Sequence, residues 1–372
     1  MKKFTDYKIL DQKVSQLAMG VEANILSYLT PTNVETEKKK FFEELDKNNI
    51  YNPEFVYTSR NPLFSYFSIS PTFKTYKKEL FHLLHDIPKD TLGIIFERKI
   101  LDLFDRMELI KSVGTPNFSE NSKEYYGKLN KETISFAKEV ISKKISQNEK
   151  KISFQTAKKS IEEFIKLKKL PYKVVQRDFG GSKFSINIRT KELFINKGAR
   201  LTGETVKRLI AHELESHAYR YENGLLQPYR LFARGLSKET LETDEGLAAT
   251  VEEKKGLNFE EQLKNYAGRV IAVKLARKKS FYETFEELTT FFSDEEAWNI
   301  TLRAKRGLTK TELPGAFAKD TLYLKGYLKV KKFIEKGNTI ESLYYGKYSI
   351  YDQPLLEDID GLVKPKWLPD FR

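Results

Sequence analysis

Two of the four histidines in this 372-residue chain fall within six residues, His212-Glu213-Leu214-Glu215-Ser216-His217. No other feature limits the fold as much. Two imidazoles with a glutamate beside the first, on one helix, are how many zinc hydrolases present their ligands and their base. The surrounding segment reads as a helix. Thr202 is a natural N-cap, and Glu204 stands in the first turn, where the helix dipole favours an anion. Val206, Ile210, Glu213 and His217 recur along one stripe at three- and four-residue spacing. The familiar motif sets its histidines four apart, about 40° around a regular helix. Here they are five apart, or about 140°. A regular α-helix cannot aim both rings at one ion. A π-type widening near residues 214–217 would bring them together, and such widenings are frequent at functional sites. The spacing therefore predicts a local break in helical regularity.

The absence of cysteine narrows the chemistry further. Disulfides, thiolate nucleophiles and cysteine-held zinc are excluded, so any ion must be held by His, Asp or Glu. A catalytic zinc takes three protein ligands and a water. No histidine follows His217, so the third ligand is expected to be a carboxylate. Glu245, in a TDEGLA run (residues 243–248) that reads as the start of a second helix, is one candidate. Glu252 and Glu253, two turns on, are others, and any of the three could instead sit on a solvated helix face. His82 and His85, with no carboxylate motif beside them, read as surface histidines.

The rest of the chain reads as α+β and mostly helical. Helical stretches are expected to about residue 58, over 74–111, over 131–145 and over 157–165, with turns at Asn52–Pro53 and Asn61–Pro62 and a loop at 114–122. Residues 172–177, 183–189 and 193–195 read as three short strands of a small antiparallel sheet, with a turn at Gly180 and Gly181. Phe184, Ile186 and Ile188 alternate with Ser185, Asn187 and Arg189. Helix resumes from about 256 to 336. A mainly helical region over 1–152, packed on a catalytic region over 153–372 or continuous with it, is the expected division. No stretch is apolar enough to span a bilayer, no secretory signal opens the chain, and the cytoplasm is the expected compartment. The net charge of +13 favours acidic partners, although a lysine-rich surface also simply keeps a protein soluble. No nucleic-acid motif is present.

Several runs are similar to the microtubule-associated tyrosine carboxypeptidases and their bacterial homologues with a QEGLA motif. They are LTGETVKRLIAHELESHAYRYENG (201–224), Gln227-Pro228, DEGLA (244–248), RAKRG (303–307) and LPGAFAKDTLYLKG (313–326). The resemblance implies a zincin-like metallopeptidase with its small sheet beside the active-site helix. It implies one zinc ion held by His212, His217 and Glu245, with Glu213 as general base. Two departures stand out. Asp244 replaces the Gln or Glu usual before EGLA. Glu215 and Ser216 stand where eukaryotic members carry smaller residues, an extra carboxylate that would alter which substrate end fits.

A zinc carboxypeptidase needs two further kinds of group. One donor must stabilise the oxyanion; Tyr323 is the candidate, with Tyr219 behind it. A cation must hold the substrate's terminal carboxylate, for which arginine is best shaped. Arg220, Arg303, Arg306 and Lys319 are the candidates. The strand over 183–189 could pair with an extended substrate, and the basic field would draw an acidic C-terminal tail, ending in tyrosine or another aromatic residue. Two other classes share some of these features: another zinc amide hydrolase, which would use the same ligands, and a non-catalytic basic binding or regulatory protein.

Overall fold

A computed structural model describes residues 6–22, 28–57, 66–143, 150–177, 184–257 and 259–371. The turns read at Asn61–Pro62 and at Gly180 and Gly181 lie outside the described residues. The chain forms two compact units. Unit 1 comprises Met1–Lys143 and Lys264–Leu324, and unit 2 comprises Lys144–Leu263 and Lys325–Arg372. The division thus falls at 143/144 rather than 152, and residues 264–324 cluster with the N-terminal part instead of continuing unit 2. Long-range packing explains this. Phe41, on the helix Val34–Asp46, seats its ring 4.8 Å from both Phe285 and Trp298 and 5.4 Å from Phe281. Local periodicity carries no trace of such partners.

Unit 1 is helical. Pro88 separates Tyr66–Asp86 from Thr91–Lys111, and Asp90 caps the latter by accepting from the Gly93 amide at 2.8 Å. The stretch read as a loop from 114 to 122 holds instead the start of a helix, Phe118–Tyr126. Its polar residues are helix-start chemistry behind Pro116, and Phe118, fully buried, stacks on Phe317 at 5.7 Å. The helix expected to reach 145 ends at Ile141, and residues 144–149 lie outside the described ones.

Unit 2 holds the sheet. Ser153 caps the helix Phe154–Leu167, whose Ala157, Ile161 and Ile165 are buried. Three strands follow: β1 Lys173–Arg177, β2 Phe184–Asn187 and β3 Glu192–Asn196, in the order β1-β3-β2. β3 runs antiparallel to β2 but parallel to β1. The sheet is therefore mixed, not antiparallel throughout. Alternation shows that a segment is a half-buried strand; it does not show which strand lies beside it. β2 also stops earlier than 189. The Asn187 side chain accepts from the amides of Arg189 and Thr190 at 3.1 and 3.2 Å, which turns the chain. Central β3 buries Leu193 and Ile195 completely.

Beyond the sheet, residues 203–225 form one composite helix that packs on the helix Thr240–Lys254. The glycine of the DEGLA run is required by a backbone approach. A Cβ on Gly246 would lie 2.1 Å from the carbonyl carbon of Gly326. Asn223 and Gln227 tie down the C-terminal segment. Asn223 donates to the Trp367 carbonyl at 2.8 Å and accepts from the Lys366 amide at 2.9 Å, and Gln227 donates to Val363 at 2.9 Å. Among the described residues, no helix is long and apolar enough to cross a membrane.

Candidate metal centre

The composite helix changes character where the histidines fall. It is α-helical over Gly203–Leu209, a π-helix over Ile210–Ala218 and α-helical again over Tyr219–Leu225. Thr202 caps it, accepting from the Thr205 amide at 3.1 Å. The widening expected at 214–217 is present and longer. In a π-helix the hydrogen bonds join residues five apart, so residues 212 and 217 become neighbours along one face. Ser216 follows the same spacing, its hydroxyl donating to the Ala211 carbonyl at 2.9 Å. The two imidazoles lie 4.9 Å apart, centroid to centroid, and 80° from coplanar.

Glu245 meets them from the neighbouring helix. That helix begins at Thr240, not at 243, so Glu245 lies beyond its first turn. Its Oε2 is 3.5 Å from His212 Nε2 and 3.7 Å from His217 Nε2, and donor atoms of the three residues all fall within 4.8 Å of one another. Ligands around a tetrahedral zinc with bonds of about 2.1 Å stand about 3.4 Å apart. The donor set, two imidazole nitrogens and a carboxylate oxygen, suits zinc. Among the described residues no other group of three has this geometry. His82 and His85 are exposed.

The other ring nitrogens are occupied. His212 Nδ1 lies 2.5 Å from Glu252 Oε1, and His217 Nδ1 lies 3.0 Å from Asp244 Oδ2. A carboxylate on Nδ1 fixes the proton there and leaves Nε2 free to bind. Glu252, one of the alternative third ligands, thus stands behind His212. Glu253, the other, accepts from the Tyr327 hydroxyl at 2.7 Å.

Electrostatics agree with a cation site. Burial alone would lower both imidazoles, but Glu245 and Glu252 raise His212 well above its ordinary value. His217 is likewise pulled down by burial and pushed up by Asp244 and Glu245, to about 9. Burial raises the Asp244 carboxyl, and Lys347, His217 and Arg220 together hold it well below the usual range. The carboxylates that raise both rings, Glu245, Glu252 and Asp244, set a negative potential at the site, which also attracts a divalent ion.

Arg220 departs from its expected role. It is fully buried. Its Nη1 donates to Asp244 at 2.8 Å, its Nε to Leu343 and Gly346 carbonyls at 2.9 and 3.0 Å, and its Nη2 to the Tyr348 carbonyl at 2.5 Å. So engaged, it positions Asp244 and has no reach for a substrate carboxylate. Lys347, which donates to Asp244 at 2.6 Å, carried no local sequence signal. Glu213 is half-buried, and its charge helps to raise His212. Glu215 is buried and paired with Lys255 at 2.8 Å, so the extra carboxylate is neutralised inside the protein. Tyr219 is buried in the core. Tyr323, Arg303, Arg306 and Lys319 belong to unit 1. There Arg303 pairs with Asp320, Arg306 and Lys319 are buried, and Tyr323 stacks on Tyr266 at 5.0 Å.

A family profile described as "Microtubule-associated tyrosine carboxypeptidase" matches residues 40–372. MATCAP2 of Mus musculus, named as a candidate tyrosine carboxypeptidase, is 31% identical over 173 residues, which is 44% of this chain and 32% of that protein. Microtubule-associated tyrosine carboxypeptidase 1 of Rattus norvegicus is 33% identical over 129 residues, 33% of this chain and 26% of that protein. The chain thus spans about a third or less of the curated relatives it matches.

Proposed function

Because this chain belongs to the microtubule-associated tyrosine carboxypeptidase family, we propose that it is a zinc-dependent, zincin-like carboxypeptidase that removes the C-terminal residue of a peptide or protein tail. The observation that carries this reading is the convergence of His212 Nε2 and His217 Nε2 on one carboxylate oxygen of Glu245. These three residues would hold one zinc ion. Bound there, zinc would supply a polarised scissile carbonyl and an acidified water.

The chain's own groups do the rest. Glu213, one residue from a ligand, takes the proton of the attacking water and passes it to the departing amine. Asp244 and Glu252 hold the imidazoles in the tautomer that keeps Nε2 available. Arg220 and Lys347 hold Asp244 ionised. The relatives' names specify tyrosine, and for this chain an aromatic C-terminal residue on an acidic tail is the proposed substrate, with the net charge of +13 favouring its approach.

The test is mass spectrometry of peptides with free C-termini, ending in tyrosine or in other residues, incubated with the wild type and with Glu213→Gln. The wild type should release the last residue; Glu213→Gln should keep zinc and release nothing. Release by Glu213→Gln at the wild-type rate would exclude the assigned base. Cleavage of internal amides or acyl-lysines alone would move the protein to another class of zinc amide hydrolase.

A further inference from the structure

The π-helix is an unfavourable register that something must hold. Widenings of this kind are rare and mostly span a single turn. This one runs over nine residues, Ile210–Ala218, and closes with the Tyr219 amide on the Leu214 carbonyl, five residues back. Both flanking α-helical segments are anchored. Before the widening, Thr202 caps the helix and Arg208 donates to Gln262 at 2.7 Å. After it, fully buried Arg220 donates to the carbonyls of Leu343, Gly346 and Tyr348. A change of register by one residue would swing everything beyond it by about 100° around the axis, and Arg220 would leave all three carbonyls. The same loop meets the widened segment itself. Ser216 is fully buried, and its hydroxyl reaches back five residues to the Ala211 carbonyl at 2.9 Å. A serine in a regular helix reaches back three or four. Tyr344, also fully buried, brings its hydroxyl against Ser216 without a well-aligned hydrogen bond. Gly346 lets the loop close. A Cβ there would lie 2.7 Å from the Phe232 carbonyl oxygen, which the Lys347 amide bonds at 2.6 Å.

We propose that residues 343–348 form a brace that holds the composite helix in the π register, with Ser216 and Gly346 as positioning residues for the metal centre. Both act through the backbone and not on the reacting atoms. Ser216 stabilises the widened turns from within. Gly346 seats the carbonyls that receive Arg220 beyond them. Together they keep His217 on the face that meets Glu245. The inference deepens the proposed function and rests on it for the zinc, whereas the register itself can be measured without metal.

Histidine-selective isotope labelling and NMR of the metal-free full chain read the register. The chain has four histidines. His82 and His85 are exposed, while the Nδ1–H groups of His212 and His217 are held by Glu252 and Asp244 and should give two slowly exchanging downfield signals. Ser216→Ala and Gly346→Ala should each shift or remove the His217 signal and keep that of His212, which lies near the start of the widening. Both variants should also bind zinc at least tenfold more weakly in competition with a chelator. General destabilisation would move both signals or neither, so equal loss of the two would overturn the proposal. So would an unchanged His217 signal in a folded variant; should Gly346→Ala fail to fold, Ser216→Ala decides. A selective change at His217 in a chain that binds no zinc would leave the brace standing and end the zinc reading.

Discussion

Asp244 accepts from His217 at 3.0 Å, Arg220 at 2.8 Å and Lys347 at 2.6 Å. The sequence places it beside a ligand in a familiar motif, but its three partners come from residues 217, 220 and 347. None of them is visible from spacing. The histidine pair and Glu213 were legible because their chemistry is local to six residues. Arg220 was misread because an arginine near a metal motif looks the same in sequence whether it faces substrate or is buried among carbonyls. Asp244→Asn and Glu252→Gln should each weaken zinc binding about 10- to 100-fold, as measured by competition with a chelator. The fold should survive in both. A second residue-scale prediction concerns Asp102 in unit 1. Burial raises its carboxyl, but Arg106, Lys99 and a hydrogen bond from Tyr125 bring it down to about 2. A carboxyl lowered in the folded state stabilises the protein above its ordinary value of 3.8, and the effect is lost as pH falls through about 2. The stability gap between the wild type and Asp102→Asn should therefore narrow by roughly 2 kcal/mol as pH falls from 5 to 2. Urea denaturation across that range would show it.

Among the elements, the π-helix is the one that spacing foretold. Five-residue separation on a regular helix would send the rings apart, so a shared ion required the widening, and it is found at Ile210–Ala218. The mixed pairing of the sheet was not legible, because pairing is decided between strands and not within them. The start of the helix Thr240–Lys254 was misplaced for a related reason: its first turn is buried, Thr240, Glu242 and Thr243 included, and shows no exposed N-terminal pattern. The same helix offers a sharp test. Gly246 has no room for a methyl group against Gly326. Gly246→Ala should destabilise unit 2 by at least about 1–3 kcal/mol through overpacking, read as a lower denaturant midpoint, and should loosen the Glu245 ligand with it. An unchanged midpoint would show that the backbones at Gly246 and Gly326 separate freely there.

At the scale of the whole molecule, the net charge of +13 makes an association rate, not a fold. Long-range steering weakens as salt shortens the screening length from about 10 Å at 0.1 M toward 3 Å at 1 M. The KM for a peptide with an acidic tail should therefore rise several-fold over that range, while a neutral peptide with the same last residue should change little. Equal salt dependence for both would assign the charge to solubility. The division of the chain into units was the least legible feature, since it depends on contacts such as that between Phe41 and Trp298, far apart in sequence. The centre itself needs only unit 2, and its occupancy is the claim on which the rest depends. Elemental analysis of the purified protein after zinc reconstitution and desalting measures it directly. One zinc per chain in the wild type, with loss in both His217→Ala and Glu245→Ala, is the predicted result. Zinc retained undiminished by those two variants, or no zinc in the wild type, would contradict the account.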